Sequence, residues 1–124
     1  VSDQRSKFLQ QLQNDLRLLA DDACPIGRRL ADLVPRLEFV EQGRPEVIAW
    51  NKEQGRFQIE AGHPVVKTLL NSKARRRTDV VFIISTLATL LNREEPDITD
   101  EDERTFHAKL LRFSLENAQG SWSG

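Results

Sequence analysis

Val80-Val81-Phe82-Ile83-Ile84-Ser85-Thr86-Leu87-Ala88-Thr89-Leu90-Leu91 is the stretch on which the fold turns. Its β-branched opening would suit a buried strand, but the run is longer than the roughly four to eight residues of such a strand, so length decides for a helix. Apolar on nearly every side, it predicts a central buried helix capped by Thr78 and Asp79. Ser85, Thr86 and Thr89 interrupt it, and it falls well short of the ~20 apolar residues that cross a bilayer, which excludes a membrane-spanning reading.

Upstream of this helix the chain carries a basic loop, Lys73-Ala74-Arg75-Arg76-Arg77. Before it, Gly62-His63-Pro64 turns the chain and Pro64 opens a short helix bearing Val65, Val66, Leu69 and Leu70. The period then drops to two. Residues 46–51 and 56–60 flank Lys52-Glu53-Gln54-Gly55, and Phe57 and Ile59 alternate with Arg56, Gln58 and Glu60, which predicts a β-hairpin over 46–60 with one face buried. The pattern leaves open whether 37–40 adds a third strand.

Further back, Phe8, Leu12, Leu16, Leu19 and Ala23 recur at helical spacing, and Pro25 separates this amphipathic helix from a second over Ile26–Leu37 that Pro35 stops or kinks. Downstream, Thr99 is an N-cap for a last helix whose opening acids, Asp100 to Glu103, suit the helix dipole. The fold class that follows is α+β and mainly helical, with about five helices around the helix of residues 80–91 and one hairpin on a flank. A single domain over 1–119 and a flexible tail over 120–124, with Trp122 in it, complete the expectation. The expected core draws on Phe8, Leu12, Leu16, Leu19, Leu30, Leu33, Trp50, Phe57, Ile59, Val66, Leu69, Phe82, Ile83, Leu87, Leu90, Phe106, Leu110 and Phe113.

At 124 residues, 39% apolar and 30% charged, the composition is that of an ordinary globular chain long enough to form a core without disulfides or metal. Eighteen Lys and Arg against nineteen Asp and Glu give a net charge of −1, so no global field draws in nucleic acid or anionic membrane. The lone Cys24 cannot form an internal disulfide, which points to a reducing compartment, with cytoplasm the default. The first twenty-five residues contain no apolar core of a signal peptide. A start at Val1 and the lack of methionine suggest a portion of something longer.

Motifs for catalysis are missing. There is no HExxH, phosphate loop, dinucleotide fingerprint or GxSxG elbow, and the expectation is no cofactor and no metal. His63 reads as a residue of the turn whose ring satisfies backbone groups at a helix start, with a ligand or proton-transfer role as the alternative; His107 reads as structural. Cys24 reads as an inert buried thiol. Two charge blocks stand out: the cations Lys73, Arg75, Arg76 and Arg77, and seven carboxylates between Glu94 and Glu103, among them Glu95, Asp100 and Asp102. They could attract each other within the domain or between copies of it.

The segment Arg56-Phe57-Gln58-Ile59-Glu60-Ala61-Gly62-His63-Pro64-Val65-Val66, followed by Leu69-Leu70, resembles accessory C-terminal regions of some bacterial proteins with gyrase/chaperone/histidine-kinase-type ATPase domains. There a strand ends in an Asn-x-x-His-Pro-like turn and a long apolar helix follows; the resemblance covers residues 56–91. Glu60 stands where the pattern has asparagine, and the superfamily's nucleotide-binding motifs are absent. The resemblance implies a noncatalytic module attached to an ATPase, without carrying activity over. The expected function is therefore a protein-interaction or oligomerisation module, its partner another protein or a second copy. The alternatives are nucleic-acid binding through residues 73–77 and a small enzyme using His63.

Overall fold

The computed structural model describes residues 2–20, 24–71 and 77–118, and the side chains of 4–20, 24–71 and 80–116. Five α-helices and a three-stranded mixed sheet are present among them: α1 Ser2–Leu19, α2 Pro25–Leu33, β1 Glu38–Val40, β2 Ile48–Asn51, β3 Arg56–Glu60, α3 Pro64–Asn71, α4 Arg77–Glu94 and α5 Asp100–Ala118. The chain is thus mainly helical α+β, as its periodicities require. No helix among the described residues is long and apolar enough to cross a membrane.

Local chemistry accounts for the boundaries. Pro25 starts α2, where its missing N–H costs nothing, and Pro35 draws the chain past Leu33 into a 3-10 turn over Val34–Arg36, so the helix expected through Leu37 ends early. Thr99 and Asp102 form a reciprocal capping box at α5: the Asp102 N–H donates to Thr99 Oγ1 at 3.0 Å, and the Thr99 N–H to Asp102 Oδ2 at 3.1 Å. α4 begins earlier than expected, at Arg77, so Thr78 and Asp79 fall within its first turn rather than ahead of it. Ala23, the basic residues 73–76, Trp122 and the tail over 120–124 lie outside the described residues.

β2 and β3 form the expected hairpin, in antiparallel register with Ile48 opposite Ile59 and Trp50 opposite Phe57. Its turn closes through the Gly55 N–H on the Asn51 carbonyl at 2.8 Å, with Gly55 at φ 63°, a left-handed conformation that glycine adopts without strain. β1 does add a third strand. It pairs in parallel with β3, Phe39 beside Ile59, so the order is β1-β3-β2 and β3 is paired on both sides. Phe39, Ile59 and Ile48 thereby share one face, and Glu38, Gln58 and Ala49 the other.

α1 packs on α2, while α4 packs on α5, α2, α1 and β2. Their apolar faces and the inner sheet face make one core that includes Phe8, Leu12, Leu16, Ile26, Leu30, Phe57, Ile59, Ile83, Ile84, Leu87 and Phe106. Leu33, Trp50 and Leu90, expected in that core, are only partly buried against it. Phe82 corrects the expectation outright, being 70% exposed. Three residues ahead of Ser85 and seven ahead of Thr89, it lies on the same side of α4 as these half-buried polar residues, turned away from the face that carries Ile83, Ile84 and Leu87.

Candidate functional site

Two places on this scaffold gather groups capable of recognition. The first is a cleft of about 570 Å³ beside the outer sheet face, walled by Glu41, Arg44, Glu60, His63, Pro64 and Lys67. It is built around a buried carboxylate. Glu60 ends β3 on the face opposite Ile59, where strand alternation predicts exposure, yet only 2% of its surface is accessible because the loop after β1 wraps over it. The Gln42 N–H donates to both carboxylate oxygens, at 3.2 and 3.0 Å, and the Arg44 N–H to Oε1 at 3.2 Å; the amides of Gly43 and Gly62 complete the ring. Gly43 sits at φ 68°, the left-handed conformation that turns successive amides inward on one anion.

Burial pushes the Glu60 carboxyl up, but the amides of Arg44, Gln42, Gly43 and Gly62 outweigh it and hold the group below its ordinary value of 4.5. A folded-state value below the unfolded one means that the stability this carboxylate contributes is complete above about pH 4.5 and is lost as pH falls through the folded value. Glu60→Gln, which cannot accept four amides as a carboxylate does, should therefore lower the urea midpoint at pH 7 and flatten its fall below pH 4.5. An unchanged acid limb in the variant would assign that limb to other carboxylates.

His63 does what its place before Pro64 predicts. Its Nδ1 accepts the Val65 N–H at 3.1 Å, capping α3, while its carbonyl accepts the Lys67 N–H at 2.9 Å. A ring nitrogen that accepts has no proton, so in the neutral ring the proton is on Nε2. Arg44 crosses the outer sheet face, where its Nη1 donates to Gln58 Oε1 at 3.0 Å, and Gln58 Nε2 donates to Glu38 Oε2 at 3.0 Å. The same arginine borders a second cleft of about 310 Å³ lined by Trp50, Asn51, Lys52, Glu53 and Gln58.

The second place is the edge where α4 and α5 run antiparallel. Ser85 faces His107 at 2.9 Å, Thr89 donates to Glu103 Oε2 at 3.2 Å, and Asn92 Nδ2 donates to Glu103 Oε1 at 2.7 Å and Asp100 Oδ1 at 2.8 Å. His107 Nδ1 lies 3.1 Å from the Glu103 carbonyl, which only accepts, so Nδ1 holds the proton and Nε2 receives the Ser85 hydroxyl. Serine, histidine and glutamate in sequence invite comparison with a hydrolytic triad. The backbone argues against it: Ser85 is in mid-helix, where neighbouring N–H groups are bound to carbonyls one turn back and cannot form an oxyanion hole. The contacts are those of a polar seam.

The same register carries on beyond the seam. Phe82 precedes Ser85 by three residues, Leu111 follows His107 by four, and Leu115 lies one turn further, so these side chains extend the same edge toward the start of α4 and the end of α5. They are 70%, 65% and 75% exposed. An edge that is polar and paired at one end is apolar and open at the other.

The acidic residues singled out in the sequence are spent largely within the chain. Glu95 lies 3.8 Å from Arg29 of α2, Asp97 pairs with the same guanidinium, Asp100 accepts from Asn92, and Asp102 caps α5; Glu94 closes α4. One cation that meets this stretch is Arg29, which sequence spacing gave no reason to choose. Arg77 opens α4, whereas Lys73, Arg75 and Arg76 lie outside the described residues. Cys24 is buried, with its thiol 3.5 Å from the Asp102 carbonyl. Among the described residues no group of His, Cys, Asp and Glu is arranged to hold a metal ion.

A scan of protein-family models gave no match to this chain, and neither the curated proteins nor the solved structures contain a match.

Proposed function

We propose that this chain is a noncatalytic oligomerisation module of a larger bacterial multidomain protein, and that it pairs with a second copy of itself through the open edge of the α4–α5 hairpin. The observation that carries the reading is the exposure of Phe82, Leu111 and Leu115 along one continuous edge. Large apolar side chains grouped in this way favour a contact surface, whereas singly scattered ones need no explanation. A second copy is the occupant of choice because two antiparallel helix hairpins that face each other bury their apolar strips as a four-helix bundle, and a two-fold arrangement needs one patch only. The resemblance of residues 56–91 supports attachment to an ATPase-bearing protein.

Sedimentation over a range of concentrations tests this. The expected result is a reversible dimer that Phe82→Asp weakens by about tenfold to a hundredfold, as loss of an aromatic anchor does. Val65→Asp, a change at an exposed apolar residue of α3, should leave the dimer intact. A chain that stays monomeric throughout, or a dimer indifferent to Phe82→Asp, overturns the reading. The nucleic-acid alternative rests on Lys73, Arg75, Arg76 and Arg77 in the sequence alone. The enzymatic alternative retains the cleft at His63, whose ring is already engaged as a cap.

A further inference from the structure

We infer that the cleft beside His63 binds a small oxyanion of the phosphate or phosphomonoester class. Its volume of about 570 Å³ is in the range of small-molecule sites, roughly 300–1,000 Å³. Its walls carry donors in excess of acceptors. The Nε2–H of His63 is left over once Nδ1 caps α3. Lys67 stands one helical turn beyond His63, and its ammonium has no partner among the described residues. Arg44 borders both this cleft and the one beside Trp50; it gives one nitrogen to Gln58, on the side of the second cleft, and its remaining N–H groups have no partner among the described residues.

The carboxylates that would oppose an anion are already engaged. Glu60 is ringed by the amides of Gln42, Gly43, Arg44 and Gly62, and Glu41 lies 3.7 Å from Arg5. Among the lining residues Arg44 and Lys67 balance Glu41 and Glu60, and Arg5, outside the lining, sets one further positive charge beside Glu41. Three donors from a ring, an ammonium and a guanidinium suit a tetrahedral group with several acceptor oxygens better than a planar carboxylate. The sites are separate: this cleft involves β1, β3 and α3, not the α4–α5 edge.

Amide NMR of the whole chain, titrated with inorganic phosphate at constant ionic strength, tests the inference, with chloride and acetate as reference anions. The expected result is saturable shifts confined to Gly43, Arg44, Gly62, Val65 and Lys67, with phosphate bound at least about fivefold more tightly than acetate. Arg44→Gln and Lys67→Gln should each weaken phosphate by about tenfold while the rest of the spectrum stays unchanged, and Arg112→Gln on α5 should not. Shifts that do not saturate, that chloride reproduces, or that survive both cleft variants overturn the site. Acetate binding as tightly as phosphate overturns the assignment to phosphates. Any of these results leaves the dimer experiment unaffected.

Discussion

Phe106→Ala is expected to cost about 3–5 kcal/mol of folding stability, the range for emptying a fully buried aromatic site. Phe106 is 0% exposed and is part of the α5 face that meets the core, and α5 packs on α4, α2 and α1. Against the roughly 5–15 kcal/mol that holds a domain of this size together, such a loss shifts the urea midpoint far to the left and leaves part of the variant unfolded at 37 °C. Phe113, nearer the end of the same helix and at the border of the core, should cost distinctly less when truncated. Equal losses at the two positions would show that α5 is held along its whole length rather than at its buried middle.

The helices were legible because their signal is local. The spacing of Phe8, Leu12, Leu16 and Leu19 fixes α1 by itself, and Thr99 with Asp102 marks the start of α5 within four residues. The hairpin was legible for the same reason, its alternation and Gly55 lying within fifteen residues of chain. What escaped was set by contacts between distant segments. Alternation places Glu60 on the outer sheet face, and only the wrap of residues 41–44 over that face buries it. The parallel pairing of β1 depends on the same wrap. Ser85 and His107 meet because α4 and α5 align in one register, and neither residue carries a mark of its partner.

Phe82 is a different kind of error, since the sequence did contain the signal. Within a nearly all-apolar run, the hydrophobic residues do not say which of them points outward; the few polar ones do. Ser85 and Thr89 identify the partly exposed side of α4, and Phe82 stands on that side at helical spacing. Read that way, an apolar residue among the polar markers is a candidate contact residue rather than core, which is how it enters the proposed dimer.

Gly27→Ala should destabilise the chain by about 1–3 kcal/mol, against the sign that helix propensity alone would give. In an open helix the change from glycine to alanine is favourable by up to about 1 kcal/mol. Here a Cβ on Gly27 would lie 2.7 Å from the carbonyl oxygen of Leu19, 3.1 Å from its carbon and 3.2 Å from the Ala20 Cα. All three atoms belong to the backbone, so no rotamer relieves the contact, and α2 must move away from the end of α1. That movement has a second readout. Arg29, two residues on, pairs with Asp97, and its hydrogen bond holds the Asp97 carboxyl below the ordinary 3.8. If α2 shifts, that bond lengthens and Asp97 titrates nearer 3.8 in the variant, which carboxyl NMR follows directly. A more stable variant with Asp97 unmoved would mean that α1 and α2 do not cross as closely as these distances require.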